Sequence, residues 1–342
     1  MTSRRTRRDR ITIQDVAERA GVSKMTVSNV VNRTGKVGAA TRERVLGVIE
    51  ELGYVPSQAA RHLVGSAAAR IGLLYRDVES VFLSVAVTDI SVAVAERGLQ
   101  LLVRRARDAS PKETERVVRS LKRSGADGLV LIPPYPELLS GSALFRELDL
   151  PAVAIATASP LPDIATVRID NFAAAHALTE LLIARGYRRI AFVTGPARHS
   201  DSRARLEGYK AALEAHGLPF RAELCAEGLF TFASGIEAAD TLLSLPEPPD
   251  AIMAANDDMA AAILWVAHRR NLKLPEGLAV TGFDDTLIAT RVWPALTTIR
   301  QPLAEMTGHA IDILVEALRK PMAESPQDRV VNFSLIERGS TR

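Results

Sequence analysis

The sequence predicts a small all-α helix-turn-helix head followed by a larger α/β body of two doubly wound parallel-sheet lobes. Three observations carry this. Residues 12–32 hold two short helical patterns broken by a glycine turn. From Ile71 onward, short apolar runs alternate with amphipathic stretches in two successive series. The charge is also divided: residues 1–62 hold twelve Lys/Arg and six Asp/Glu, so a chain of net charge +3 carries −3 over its other 280 residues. A basic head on a mildly acidic body fits a phosphate-binding module attached to a domain with a different task.

Thr12 followed by Asp15 is a capping-box start. Ile13, Val16, Ala17 and Ala20 then share one helical stripe. Gly21 ends that helix, because glycine tolerates the left-handed backbone of a tight turn. Ser23 is a good N-cap for a second helix. Val27, Val30 and Val31 bury one face of it, which leaves Lys24, Met25, Ser28 and Asn29 pointing outward. Two short helices joined by such a turn form a unit that reads the DNA major groove, with the start of the second helix against base edges. Thr41–Glu51 predicts a third helix, capped by Thr41, with Val45, Val48, Ile49 and Leu52 inward and Gly53 as its stop. Residues 57–64 predict a two-turn helix capped by Ser57, too short to hold by itself. Gly65–Ala69 follows as a small-residue linker.

In the body, strands are expected at Ile71–Tyr75, Leu99–Val103, Gly128–Ile132, Ala152–Ala156 and Val167–Ile169. A second series follows at Arg189–Thr194, Ala251–Ala255 and Ala279–Gly282. Helices are expected at Phe82–Glu96, Thr114–Arg123, Ala173–Arg185, Ser202–His216, Ser234–Leu245, Met259–Asn271 and Leu303–Leu318. Alternation of this kind gives parallel sheets. Ligands of such sheets sit beyond the carboxyl ends of the strands. Polar residues just after predicted strands are therefore the candidates for a binding site: Arg76-Asp77, Asp170-Asn171, Asp201–Arg205, Asn256-Asp257 and Asp284-Asp285. Asp257, Asp285 and Asn171 serve equally well as helix N-caps on sequence alone. Arg205 has a surface ion pair with Glu207 or Asp201 as its alternative, and Phe82 a place in the core.

Composition narrows the field. With 47% hydrophobic and 24% charged residues the chain is ordinary globular protein. Cys225 is the only cysteine, so no intrachain disulfide or CxxC metal site is expected, and a neutral thiol is. The opening MTSRRTRRDR has charge but no apolar stretch behind it, so a cytoplasmic chain is expected rather than a secreted one. No apolar run approaches a membrane span. The six histidines are scattered and predict no metal site. No phosphate-loop, dinucleotide or nucleophile-elbow motif occurs, and adjacent Asp284-Asp285 make a poor acid/base pair, so no enzyme and no cofactor are expected.

TIQDVAERAGVSKMTVSNVVN, TRERVLGVIEELGYVPSQAARHL and the later motifs AANDDMA and GFDD resemble the LacI family, the lac-repressor/purine-repressor regulators of bacteria. The resemblance covers residues 11–340. It implies a periplasmic-binding-protein-like body whose lobes are joined by three crossovers. The expected division is a head at 1–56, a hinge helix and linker at 57–69, and a body at 70–342. The first lobe would hold about 70–168 and 296–325, the second about 169–295 and the C-terminal end. Lys24, Met25 and Asn29 match base-reading positions. Asn29 departs from the arginine that many members carry, and the bidentate scheme pairs arginine with guanine and asparagine with adenine. Thr12, Ser23, Thr26 and Ser28 fit capping and phosphate contacts, and Asn32 either a DNA contact or a helix end. Leu63, with Ala60 beside it, matches the hinge residue that wedges between base pairs in the minor groove. Arg205-x-x-Gly208-Tyr209 matches a family signature. The resemblance implies that Arg205, Asn256 and Asp284 contact a small effector, with Phe82 and Phe230 as apolar walls; Arg76 joins them from its place after the first strand.

The resulting expectation is a dimeric repressor that reads a pseudo-palindromic double-stranded operator and answers to a small effector. A sugar suits the acid, amide and aromatic mix; a nucleobase is the alternative ligand. A solute-binding protein is the weaker alternative, since a basic head has no place in one. The end NFSLIERGSTR has no leucine heptads, which predicts a homodimer rather than a tetramer held by a coiled coil.

Overall fold

A computed structural model describes residues 12–31, 35, 37–52, 68–76, 80–319 and 326–341. The predicted hinge helix, with Ala60 and Leu63, lies outside the described residues, as do Asn32 and Asp77. Contacts divide the chain into two compact units, 1–69 and 70–342.

The first unit holds α1 (Ile13–Ala20), α2 (Lys24–Val31) and α3 (Ala39–Leu52). Thr12 and Asp15 form the full capping box: Thr12 Oγ1 accepts from the Asp15 amide, and Asp15 Oδ2 accepts from the Thr12 amide at 2.6 Å. Gly21 closes α1 with φ 64°, the left-handed conformation that a side chain resists. Val16, Ala17, Ala20, Val27, Val30 and Val45 form the small core. The Arg19–Glu51 pair, 2.6 Å apart, links α1 to α3 at the surface. The third helix begins at Ala39, two residues ahead of the sequence expectation, because Ala39 and Ala40 are strong helix formers and extend it N-terminally. Thr41 therefore sits inside the first turn rather than capping it.

The second unit contains two parallel sheets. The first is built from β1 (Arg70–Arg76), β2 (Gln100–Ala106), β3 (Gly128–Leu131), β4 (Ala152–Ile155) and β5 (Ala165–Arg168), joined by α4 (Val81–Glu96), α5 (Pro111–Arg123), α6 (Tyr135–Leu139) and α7 (Ala143–Leu148). The second is built from β6 (Ile190–Thr194), β7 (Cys225–Glu227), β8 (Ala251–Ala254) and β9 (Ala279–Thr281), with α8 (Asn171–Ala184), α9 (Ser200–Ala215), α10 (Phe232–Leu243) and α11 (Asp257–Arg269). β10 (Thr298–Arg300), α12 (Leu303–Arg319), β11 (Asp328–Val330) and β12 (Ser334–Ile336) complete the chain. β3, β4 and β8 are buried along their whole length, which is why they appear as unbroken apolar runs.

The strand order is β11-β5-β4-β3-β1-β2 in the first sheet and β7-β6-β8-β9 in the second. In each sheet the order reverses beside its first strand, between β1 and β3 and between β6 and β8. Those are the switch points where a crevice opens beyond the strand ends. The chain passes between the lobes after β5, after β10 and after β11. α12 packs against β3, β4, β5 and α4, and β11 extends the first sheet beside β5. The first lobe thus takes in chain as far as Val330. β12 then pairs antiparallel with β10, and the Val280 amide donates to the Ser340 carbonyl, which ends the chain on the second lobe. Cys225 is half-buried, and burial pushes its thiol up to about 11, so it is neutral.

Candidate functional site

In the head, the reading surface follows from two local devices. Gly21 turns the chain, and Ser23 Oγ accepts the Thr26 amide at 3.1 Å, which starts α2. Thr26 Oγ1 lies 2.9 Å from Ser23 Oγ, so the Thr12, Ser23 and Thr26 hydroxyls all serve helix starts. With Val27 and Val30 buried, Lys24 and Met25 project from the first turn, Met25 being 70% exposed. Ser28 and Asn29 are half-buried on the same helix, and the Asn29 side chain lies against Gly35.

In the body, a cavity of about 310 Å³ lies where the four switch-point strands end. Arg76 is the last residue of β1, Pro134 and Tyr135 follow β3 at the start of α6, Arg198 and His199 lie in the loop after β6 with Asp201 in the first turn of α9, and Asn256 follows β8. Arg76, Phe82, Arg205, Phe230, Asn256 and Asp284 all line it. Tyr135, Arg198, His199 and Gln301 also line it and were not singled out from the sequence. Tyr135 and Arg198 were within reach of the same strand-end rule. Gln301 was not, because it follows a three-residue strand with no apolar run.

Arg205 is 3% exposed. Its Nε donates to Asn171 Oδ1 at 2.8 Å, and Nη1 donates to the Ala255 carbonyl. Its guanidinium lies 3.6 Å from the Phe283 ring centroid, and Nη2 is 3.8 Å from Asp201 Oδ2. It is therefore no surface residue, and Glu207 pairs with Lys210 instead. Asn256 is the N-cap of α11: Oδ1 accepts the Met259 amide at 3.0 Å while Nδ2 donates to the Phe230 carbonyl at 3.0 Å. That second bond holds Phe230 in the left-handed region, φ 62°, with its ring on the cavity. Asp170, not Asn171, caps α8, which frees Asn171 to hold Arg205.

Burial governs the acids here. It holds the Asp284 carboxyl well above the usual carboxylate range, against the pull of Arg205, while Gln301 Nε2 donates to Asp284 Oδ1 at 2.7 Å. The same cause raises Glu137 and Asp258. These two carboxyls bridge the lobes. Ser200 Oγ at the start of α9 donates to Glu137 Oε1 at 2.5 Å, and the Val81 amide at the start of α4 donates to Asp258 Oδ2 at 3.2 Å.

Gly195 sets the position of the Phe230 ring. A Cβ on Gly195 would fall 2.1 Å from Phe230 Cζ, so Gly195→Ala must displace the ring. The expected result is a two- to tenfold weaker effector affinity, about the worth of one aromatic contact. Calorimetric titration checks this; an unchanged affinity removes Phe230 from the binding wall.

A helix-turn-helix head in one compact unit, with a two-lobed parallel-sheet body in the other, defines a DNA-binding transcription regulator. Comparison with known proteins places it more closely. Residues 12–57 match the bacterial regulatory proteins of the lacI family, and residues 179–341 match a periplasmic binding protein-like domain. The chain belongs to the LacI family of transcription regulators. It is 33% identical over 329 residues to the ribose operon repressor of Escherichia coli (strain K12), covering 96% of this chain and 99% of that one. Among solved structures it resembles a transcriptional regulator CelR–cellobiose complex, with TM-score 0.71, 32% identity, and 97% and 100% of the two chains covered. It also resembles the lac repressor dimer bound to operator and the anti-inducer ONPF, with TM-score 0.74, 26% identity, and 97% and 99% covered. No helix among the described residues is long and apolar enough to cross a membrane.

Proposed function

We propose that this protein is a cytoplasmic homodimeric repressor that reads a pseudo-palindromic operator and changes its operator affinity when a sugar or sugar derivative fills the body cavity. The observation that carries the reading is the cavity at two facing switch points, where Arg205, Asn256 and Asp284 meet Phe82 and Phe230. Hydrogen-bonding groups beside aromatic faces suit a polyol. Relatives named for ribose and cellobiose support this choice. Because the cavity is lined by both lobes, a ligand that binds the closed arrangement better than the open one shifts the lobes, and only such differential affinity moves the equilibrium. The ligand is bound rather than transformed. Dimer formation gives a role to exposed Val85 and Val92 on α4 and to Leu287 and Trp293, the last 81% exposed.

The test is a thermal-shift panel of sugars, sugar derivatives and nucleobases, followed by operator binding with and without any ligand found. At about 100 times its dissociation constant a ligand adds about 2.7 kcal/mol. A sugar-class ligand that alters operator affinity supports the reading; a nucleobase that does so replaces the sugar. Sedimentation that returns a monomer at micromolar concentration removes the dimer.

For the head, Lys24→Ala is expected to relax base preference at one operator position by about 1–3 kcal/mol while changing the salt slope by no more than about one. Selection of binding sites from random DNA checks it. An unaltered preferred sequence takes Lys24 out of base reading, and the same assay on Met25, Ser28 and Asn29 variants apportions the rest.

A further inference from the structure

The hydrogen bonds around the cavity leave two cations and two polar atoms unused. Among the described residues, neither Arg76 nor Arg198 has a hydrogen-bond or ion-pair partner, although both line the cavity. They come from opposite lobes, Arg76 from the end of β1 and Arg198 from the loop between β6 and α9. The third arginine, Arg205, is already engaged by Asn171, Ala255 and Asp201. The acids on the cavity do not offset the two free guanidiniums. Asp201 accepts from the Ser202 amide and lies 3.8 Å from Arg205 and 3.9 Å from His199. Asp284 is held toward its neutral form by burial. His199 senses the excess: burial first, and then Arg198, Arg76 and Arg205, push its imidazole below the ordinary range against Asp201. Two deeply buried polar atoms also face no partner: Tyr135 Oη, on a residue 2% exposed, and Gln301 Oε1, on one 5% exposed. Burial pushes the Tyr135 hydroxyl up to about 12, with Arg76 pulling the other way, so it is a neutral donor at working pH.

We propose that the cavity takes a polyhydroxylated ligand bearing an anionic group, a carboxylate or a phosphate, which faces Arg76 and Arg198 while hydroxyls pair with Tyr135 Oη and Gln301 Oε1. The proposal rests on the reading of the cavity as the effector site and adds its charge. A neutral sugar closing over Arg76 would offer hydroxyl oxygens as acceptors but no countercharge, which leaves a half-buried positive charge unpaired, a costly arrangement. An anion supplies charge-assisted, bidentate hydrogen bonds. It also reverses the sign of the interaction across the cleft. Two arginines on opposite lobes repel as the lobes approach, and an anion between them attracts both.

The experiment is calorimetric titration of the full chain with matched sets: ribose, ribose 5-phosphate and ribonate, then glucose, glucose 6-phosphate and gluconate. Melting curves in inorganic phosphate against chloride at equal ionic strength probe the anion position by itself. The charged members are expected to bind about tenfold to a hundredfold tighter than the neutral ones. Phosphate is expected to raise the melting temperature, and Arg76→Gln with Arg198→Gln to lose both effects. Arg198→Gln alone, at an exposed position, covers the case in which the double variant fails to fold. Which charged member binds tells phosphate from carboxylate. The proposal is overturned by neutral sugars that bind as tightly as their charged forms, by variants that keep the preference, or by phosphate that stabilises no more than chloride. A neutral sugar that alters operator affinity would leave the effector reading standing without its charge. An anion that binds at these arginines without altering operator affinity would do the reverse.

Discussion

Arg205→Ala is expected to abolish the response of operator binding to effector. The guanidinium is the hub of the second lobe's share of the cavity. It ties Asn171 at the start of α8 to the Ala255 carbonyl beyond β8, lies flat on Phe283 beyond β9, and sits beside Asp201 on its own helix. A charge-assisted hydrogen bond to a ligand is worth about 1.5–3 kcal/mol, so affinity should fall about tenfold to a hundredfold. The loss also has a structural side. Asn171 Nδ2 already has no partner, and removal of Arg205 strips its Oδ1 as well and leaves Asp201 without its cation. Breaking a buried pair in this way costs about 3–5 kcal/mol. Arg205→Lys separates the two effects. It keeps the charge but lacks the planar fork and the stacked face, so it should recover part of the stability and little of the binding. Calorimetry, melting curves and DNA anisotropy together decide. An Arg205→Ala protein that binds effector within threefold of wild type, a margin of about 0.7 kcal/mol, moves the binding site elsewhere.

The second large effect is on stability. Asp257, 1% exposed, holds the segment that carries Asp284. Oδ2 accepts the Thr286 amide at 2.7 Å and Thr286 Oγ1 at 3.2 Å, and Oδ1 accepts Thr298 Oγ1 at 2.7 Å. Asp257→Ala leaves three buried donors unmatched, at about 1–3 kcal/mol each before relaxation. A net loss of about 3 kcal/mol corresponds to a melting temperature about 6–12 °C lower in a domain of this size. The gap should depend on pH. Burial pushes this carboxyl from its ordinary 3.8 to about 7, and the three hydrogen bonds offset only part of that. A folded-state pKa above the unfolded one means that the group's contribution is full below the unfolded value and is lost as pH rises through the folded one. Wild type and variant should therefore differ more at pH 5 than at pH 8. A gap that stays the same from pH 5 to pH 8 would show that the carboxylate is ionised throughout.

The elements legible in the sequence were those whose own residues carry the signal. β3, β4 and β8 are continuous apolar runs because both faces are covered, and α1 announces itself through Thr12, Asp15 and Gly21. The elements that were missed are defined by their partners. β11, Asp-Arg-Val, is exposed along its length and is a strand only because β5 offers it an edge. β10 and β12 form a two-stranded pair of three residues each, and β10 adds one isolated bridge, Arg300 to Asp284. α6 opens on Pro134-Tyr135-Pro136, which has the composition of a turn. The site divides in the same way. Arg76, Asn256 and Asp284 were legible because they stand at or just after predicted strands, and Arg205 because it opens the Arg-x-x-Gly-Tyr signature. The choice between Asn256 and Asp257 as cap was not, since either side chain can accept the amide; packing against Thr286 and Thr298 takes Asp257 inward and leaves the cap to Asn256.

The three crossings between lobes bear on the order in which the protein becomes competent during synthesis. Domains fold broadly as their residues emerge, N-terminal parts first. The reading head needs only residues up to about Leu52 for its core and can form early. The first sheet cannot be finished from its own early strands. The helix that covers β3, β4 and β5 begins at Leu303, and the strand that completes its edge at Asp328. A ribosome most of the way along the message therefore presents a folded head on a body whose first lobe still exposes an apolar face. A chain stalled or cut in that interval has a complete head core and lacks a finished cavity, so the cavity is the last feature the protein completes.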